Sequence, residues 1–125
     1  FVPLVENGRI SRGDVVIETV AREYLEPLKA TGVDTLILGC THYPLLTDII
    51  RDIMGPEVTL VSAGEESAFE LKRLLKADRL RAEETREGGV DFYVSDRPED
   101  FEHIASVFLG ENLCHSAERI NIEQY

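Results

Sequence analysis

The sequence predicts an α/β protein built on a parallel sheet. Short apolar runs rich in β-branched residues alternate with longer segments of helical periodicity, the pattern of strands joined by crossover helices. Thr35 to Leu38 is the clearest strand, bounded by Asp34 and Gly39, and it leads into a helix at Tyr43-Pro44. Ser62 followed by Glu65, and Gly55-Pro56, are the start and stop signals expected between such elements.

Taken in order, Phe1 to Val5 reads as an extended segment interrupted by Pro3, and Glu6-Asn7-Gly8 as a turn. Ser11 and Asp14 form a capping-box pattern ahead of a helix reaching about Ala30, with Pro27 inside it and Gly32 beyond its end. Val16, Val20, Tyr24 and Leu28 share one face of that helix, with Ile17, Ala21 and Leu25 beside them. The buried strand Thr35–Leu38 follows, then a helix to Met54 whose apolar positions are Tyr43, Leu46, Ile49, Ile50 and Ile53. Pro44 suits its first turn, where a missing N–H costs nothing. Val58 to Val61 is a second buried strand. Ser62 opens a helix through about Lys76 with Ala68, Leu71 and Leu75 turned inward.

Residues 78 to 89 are the most charged stretch and read as a surface connection. Val90 to Val94 alternates as a strand, with Val90, Phe92 and Val94 on one side. A helix from Pro98, striped by Phe101, Ile104, Ala105 and Phe108, ends at Gly110, and a last strand is expected near Glu118–Ile122. The strands are too few to close a sheet. Each group looks like part of a larger doubly wound sheet, so unpaired strand edges and an uncovered apolar face are expected.

Composition limits what such a chain does. Its 125 residues are about one ordinary domain, with 43% hydrophobic and 30% charged side chains, a globular balance. The net charge is −11. The first 62 residues carry 5 basic and 9 acidic groups and the last 63 carry 8 and 15. Neither half offers a basic face, which argues against nucleic acid or an anionic membrane as partner. No apolar run approaches the length of a membrane span. Cys40 and Cys114 stand in unlike contexts without a CxxC, which fits a reducing cytoplasm rather than a disulfide scaffold. The chain opens on Phe1 without a Met, as a truncated or cleaved product would.

Chemistry is expected where the first strong strand ends. Cys40, Thr41 and His42 fall between Gly39 and the helix start, just past the carboxyl end of a strand. Free N–H groups there would favour an anion, either a carboxylate ligand or the thiolate of Cys40. A lone cysteine after a strand is ordinarily inert packing. The flanking Gly39, Thr41 and His42 favour a reactive one, whereas His42 alone also reads as a capping or packing residue. A metal site of Cys40, His42, Cys114 and His115 has the wrong spacing for zinc. No nucleotide-binding glycine motif is present, and no cofactor is implied.

Gly39-Cys40-Thr41-His42-Tyr43-Pro44 resembles the second cysteine motif of bacterial glutamate racemase, in the aspartate/glutamate racemase superfamily. Val2-Pro3-Leu4-Val5-Glu6-Asn7-Gly8 resembles the family segment upstream of that motif. Val61-Ser62-Ala63-Gly64 resembles the segment where the family chain crosses between its domains. The resemblance implies flavodoxin-like, pseudo-symmetric racemase halves, present here as an incomplete fragment. Residues 1–62 would be the remainder of the domain with the second catalytic cysteine, and residues 63–125 would complete the other domain. It further implies cofactor-independent, two-cysteine interconversion of L- and D-glutamate for peptidoglycan synthesis. Cys40 would be one base, Thr41 would bind substrate, and His42 would support the Cys40 thiolate or the substrate ammonium. Glu6 matches an acid assisting the cysteine, although an ordinary turn carboxylate is a comparable reading. Cys114 does not match the other family cysteine, whose Cys-Asn-Thr motif is absent, as is the family's Asp-Ser-Gly motif. The chain alone is therefore expected to be inactive, with the remaining half of the protein and glutamate as partners and a homodimer covering the apolar face as a further expectation. Alternatives are another amino-acid racemase of the superfamily, a non-catalytic flavodoxin-like binding module, and a cysteine hydrolase, for which no His–acid pair beyond Cys40 is visible in the sequence.

Overall fold

The computed structural model describes residues 1–82, 89–109 and 117–124. Its contacts divide it into two compact units, residues 1–81 and 82–125.

The first unit opens with helix α1 (Val2–Glu6), not the extended segment expected. Pro3 lies in the first turn of α1, where its absent N–H is no loss, so it starts a helix as readily as it interrupts a strand. Gly8, at a φ of +74°, lets the chain reverse after α1 while its N–H bonds Val5 O. Helix α2 (Val15–Lys29) is capped by Asp14, whose side chain accepts from Val16 N–H. Ser11 is not the cap. Glu18 reaches back to accept from Gly13 N–H at 2.7 Å, so the polar closure of the helix start centres on Asp14 rather than on Ser11. The buried face of α2 is Ile17, Ala21 and Leu25; Val16 and Tyr24, assigned to the leading face, are exposed.

Strand β1 (Thr35–Leu38) pairs in parallel with β2 (Thr59–Ser62), in register from Thr35 opposite Thr59 to Leu38 opposite Ser62. β2 starts one residue later than expected. Neither strand is buried on both faces: Leu38 is enclosed, but Ile37 on the opposite side is 65% exposed. A parallel sheet is normally covered on both sides, and this pair of strands has helices enough for one. Between the strands run a 3₁₀ turn (Tyr43–Leu46) and helix α3 (Thr47–Met54), stopped by Gly55 at a φ of +96°.

α3 packs against α2. Leu46, Ile49, Ile50, Ile53 and Met54 join Ile17, Ala21, Leu25, Leu38 and Val5 in one core. Polar links close its rim. Arg12, ahead of α2, bonds both carboxylate oxygens of Asp52 on α3, at 2.8 and 3.0 Å. Lys29 donates to Ile53 O at 2.7 Å, occupying a carbonyl at the end of α3. Helix α4 (Ala63–Ala77) is capped by Ser62, which accepts from Glu65 N–H as expected. It contains no buried residue, so Ala68, Leu71 and Leu75 do not face a core.

In the second unit the strand expected over 90–94 contracts to β3 (Tyr93–Val94), and Val90 is exposed. β4 (Glu118–Arg119) is all that offers it a partner among the described residues, in parallel, with Glu118 N–H bonded to Phe92 O. Helix α5 (Pro98–Leu109) lies between them in sequence. Phe101 packs on Phe92 at 5.5 Å, and Glu102 accepts from Ala117 N–H at 3.0 Å, anchoring the start of β4. A 3₁₀ turn, Ile122–Gln124, follows. Gly110, proposed as the helix stop, and residues 83–88 lie outside the described residues.

Two outcomes test this packing. Ile50 is almost fully enclosed, so Ile50→Ala should cost about 2–5 kcal/mol in a urea melt. The Arg12 guanidinium bonded to Asp52 holds that carboxyl below its ordinary value. Such a group stabilises the fold above its unfolded value of about 3.9 and loses the contribution as pH falls through the lower folded value. Asp52→Asn should therefore lower stability near neutral pH and flatten its acid dependence below about pH 4, read as Tm against pH.

Candidate active site

β1 ends at Leu38, and the chain turns at Gly39 to deliver Cys40, Thr41 and His42 before the 3₁₀ turn. The helix proper begins only at Thr47, so the expected placement of Cys40 at an α-helix N-terminus does not hold. Within the turn that follows, Tyr43 N–H bonds Cys40 O and Leu45 N–H bonds His42 O, each at 3.2 Å. Pro44 at the start of the 3₁₀ turn favours this tighter winding, and Leu46, fully buried, fixes it to the core.

The side chains meet as a short relay. Cys40 Sγ, half-buried, lies 3.9 Å from His42 Nδ1. Thr41 Oγ1 lies 3.2 Å from the same nitrogen. The other ring nitrogen, Nε2, is 3.3 Å from Glu6 Oε1. Glu6 is the last residue of α1, so the unexpected helix is what carries the carboxylate to the imidazole. In the tautomer with its proton on Nε2, the ring donates to Glu6 and leaves Nδ1 as the acceptor facing the Cys40 thiol and the Thr41 hydroxyl. If the thiol proton moves to Nδ1, a thiolate is left beside an imidazolium backed by a carboxylate. Such a set supports either proton abstraction by sulfur or attack by sulfur.

All four sequence candidates thus come together: Cys40, Thr41, His42 and Glu6. Glu6 meets His42 rather than the cysteine. The His–acid pair not visible in the sequence is this pair, formed across 36 positions of the chain. Sequence reasoning missed Phe1, whose ring packs edge-on against Tyr43 at 5.6 Å and Tyr24 at 5.4 Å, bracing the residue next to His42. No local pattern announces that contact. Asn7 was read only as a turn residue; its side chain donates to Pro3 O at 2.7 Å and secures the end of α1 behind Glu6. Cys114 and His115 lie outside the described residues. Among the described residues no group of three His, Cys, Asp or Glu side chains is placed to hold a metal, and no helix is long and apolar enough to cross a membrane.

The described residues thus place a half-buried cysteine past the carboxyl end of a parallel strand, beside a histidine that meets a carboxylate. In sequence and fold the chain is similar to part of glutamate racemase. Over 122 residues, 98% of its length, it is 40% identical to glutamate racemase of Syntrophus aciditrophicus, of which that match covers 44%. Along its whole length it superposes on glutamate racemase from Thermus thermophilus in complex with β-chloro-D-alanine, with a TM-score of 0.86, 38% identity and 46% of that chain covered. The enzyme from Francisella tularensis in complex with D-glutamate superposes with a TM-score of 0.83 at 31% identity, again over 46% of its length. The chain therefore spans less than half of the relatives it matches. No family model matches it.

If His42 governs the thiol, His42→Ala should slow alkylation of Cys40 by iodoacetamide about tenfold at pH 7, read at the Cys40 peptide by mass spectrometry. Glu6→Gln should slow it less, because its effect passes through the ring.

Proposed function

We propose that this chain supplies one of the two proton-transferring cysteines of a glutamate racemase. The observation that carries the reading is Cys40 Sγ beside His42 Nδ1, with Glu6 on the far nitrogen. In the reaction, the Cys40 thiolate takes the α-proton of glutamate from one face. A thiol on the opposite face, supplied by the portion of the enzyme this chain does not span, then delivers a proton to the α-carbon. For the reverse reaction the two exchange roles. No electron leaves the substrate, and no carrier group is consumed.

Thr41 binds substrate through its hydroxyl or N–H, and hydrogen-bond donors of this kind stabilise the carbanion-like transition state. His42 steadies the Cys40 thiolate or the substrate ammonium, and Glu6 orients His42. Residues 1–62 belong to the domain carrying Cys40, and residues 63–125 complete the other domain. The substrate is glutamate, the setting is the cytoplasm, and the product D-glutamate serves peptidoglycan synthesis. The chain alone is inactive. Support comes from the relatives' names and from the D-glutamate held by one of them.

The test is α-proton exchange of L- and D-glutamate in D₂O, followed by NMR. The chain alone should leave the α-proton in place. Addition of the portion of the Thermus thermophilus enzyme that this chain does not cover should give exchange with inversion. Cys40→Ser should then reduce inversion at least about a thousandfold. Inversion by the chain alone, or inversion that survives Cys40→Ser, would sink the proposal.

A further inference from the structure

Three side chains converge on the ring of His42. Nε2 lies 3.3 Å from Glu6 Oε1, while Nδ1 has Thr41 Oγ1 at 3.2 Å and Cys40 Sγ at 3.9 Å. When the ring proton is on Nε2 and directed at Glu6, Nδ1 offers a single lone pair in the plane of the ring. Two donors face it. The hydroxyl is the nearer, and an O–H is a stronger donor than an S–H. Thr41 therefore holds the nitrogen, and the thiol stands at the limit of its reach.

The competition continues after a proton moves to Nδ1. That N–H is then one donor with two acceptors, and Thr41 Oγ1 is closer to it than the sulfur is. In the neutral pair the hydroxyl's bond favours the uncharged ring. In the ion pair it weakens the contact that stabilises the thiolate. Both effects have the same sign and keep the proton on sulfur. The setting strengthens them, because the His42 side chain is only 17% exposed and Cys40 is half-buried, so water competes little for this nitrogen. The titratable groups that meet the ring are the Cys40 thiol and, from α1, Glu6. Thr41 is uncharged, so replacing it changes no formal charge at the site. A change in the thiol's titration then passes through the hydrogen bond.

We infer that the Thr41 hydroxyl is a brake on Cys40, keeping the thiol protonated by occupying His42 Nδ1. Thr41 is in this respect a positioning residue that acts on the sulfur through the imidazole. The inference goes beyond the proposed function, because it concerns the resting thiol and needs no substrate. Where the hydroxyl also serves glutamate, as that function has it, a carboxylate accepting its proton releases Nδ1 to the thiol.

Alkylation of Cys40 by iodoacetamide across a range of pH, read at the Cys40 peptide by mass spectrometry, tests it. Thr41→Val keeps the branched shape and removes the hydroxyl. It should raise the rate below the midpoint of the profile about fivefold and carry the midpoint to lower pH, with the plateau at high pH unchanged. Thr41→Ala should do the same. Thr41→Ser keeps the hydroxyl and should stay within about twofold of the parent. In a His42→Ala background, Thr41→Val should have no effect, because the nitrogen both groups compete for is gone. Thr41 is exposed, so circular dichroism and Tm of these variants should match the parent. A rate that falls or stays level in Thr41→Val overturns the inference, as does Thr41→Ser behaving like Thr41→Val. So does a rise that survives in the His42→Ala background, or a higher plateau with an unmoved midpoint, since either marks access to the sulfur rather than its ionisation. No arm involves glutamate, so failure here leaves the racemase reading intact, and absence of racemisation leaves the brake standing.

Discussion

Burial of one side of α3 against α2 is the constraint on which the rest of the first unit depends. Ile49, Ile50, Ile53 and Met54 disappear from solvent together, and Leu46 anchors the 3₁₀ turn that precedes them. At about 1.5–3 kcal/mol for each large side chain enclosed, that stripe outweighs the exposed ion pairs at its edge, each worth about 0–1 kcal/mol. Arg12 with Asp48 and Asp52, and Lys29 on Ile53 O, therefore set alignment more than strength. Because Leu46 and Leu38 are both fixed in the core, the seven residues between them have little freedom. Cys40, Thr41 and His42 are presented by a span held at both ends. A half-buried thiol can then keep a constant relation to an imidazole two residues away.

Periodicity made much of this legible. The apolar spacing from Leu46 to Ile53 identifies the buried side of α3, and the run Thr35–Leu38 identifies β1. The misreadings share one cause: local patterns describe what a segment can do, and its neighbours decide what it does. Pro3 fits a broken strand or a first helical turn, and Phe1 resting on Tyr24 and Tyr43 supports the second. Ser11 and Asp14 both suit a cap, and the Arg9 side chain bonded to Asp14 stands with the later choice. α4 is the clearest case. Its sequence records an apolar side correctly, but amphipathicity states a need for a cover and not where that cover comes from. The pairing of Glu6 with His42 was open for a related reason, since no spacing rule connects a carboxylate and an imidazole so far apart in sequence.

The relay of Glu6, His42 and Cys40 has the composition of a nucleophilic site as well as that of a proton-transfer site. Composition alone does not separate these chemistries, because a thiolate beside an imidazolium is both a base and a nucleophile. A nucleophilic role also needs donors poised over the developing oxyanion. Of the N–H groups that follow Cys40, those of Tyr43 and Leu45 are bonded within the turn. Proton transfer asks less of the immediate backbone: a sulfur within reach of Cα–H, a partner to stabilise its charge, and contacts that hold the substrate carboxylate.

Under the proposed function, inversion at carbon places a second requirement on the protein, because the two proton carriers must approach the α-carbon from opposite faces. A base and an acid on one short turn cannot do this, whatever their reactivity. Cys40 and His42, two residues apart, address the same side. The opposite carrier must come from another surface, and Cys40 is the one free cysteine among the described residues. The groups that this chain would contribute are accordingly held on one side, at the polar, half-buried junction past the end of β1.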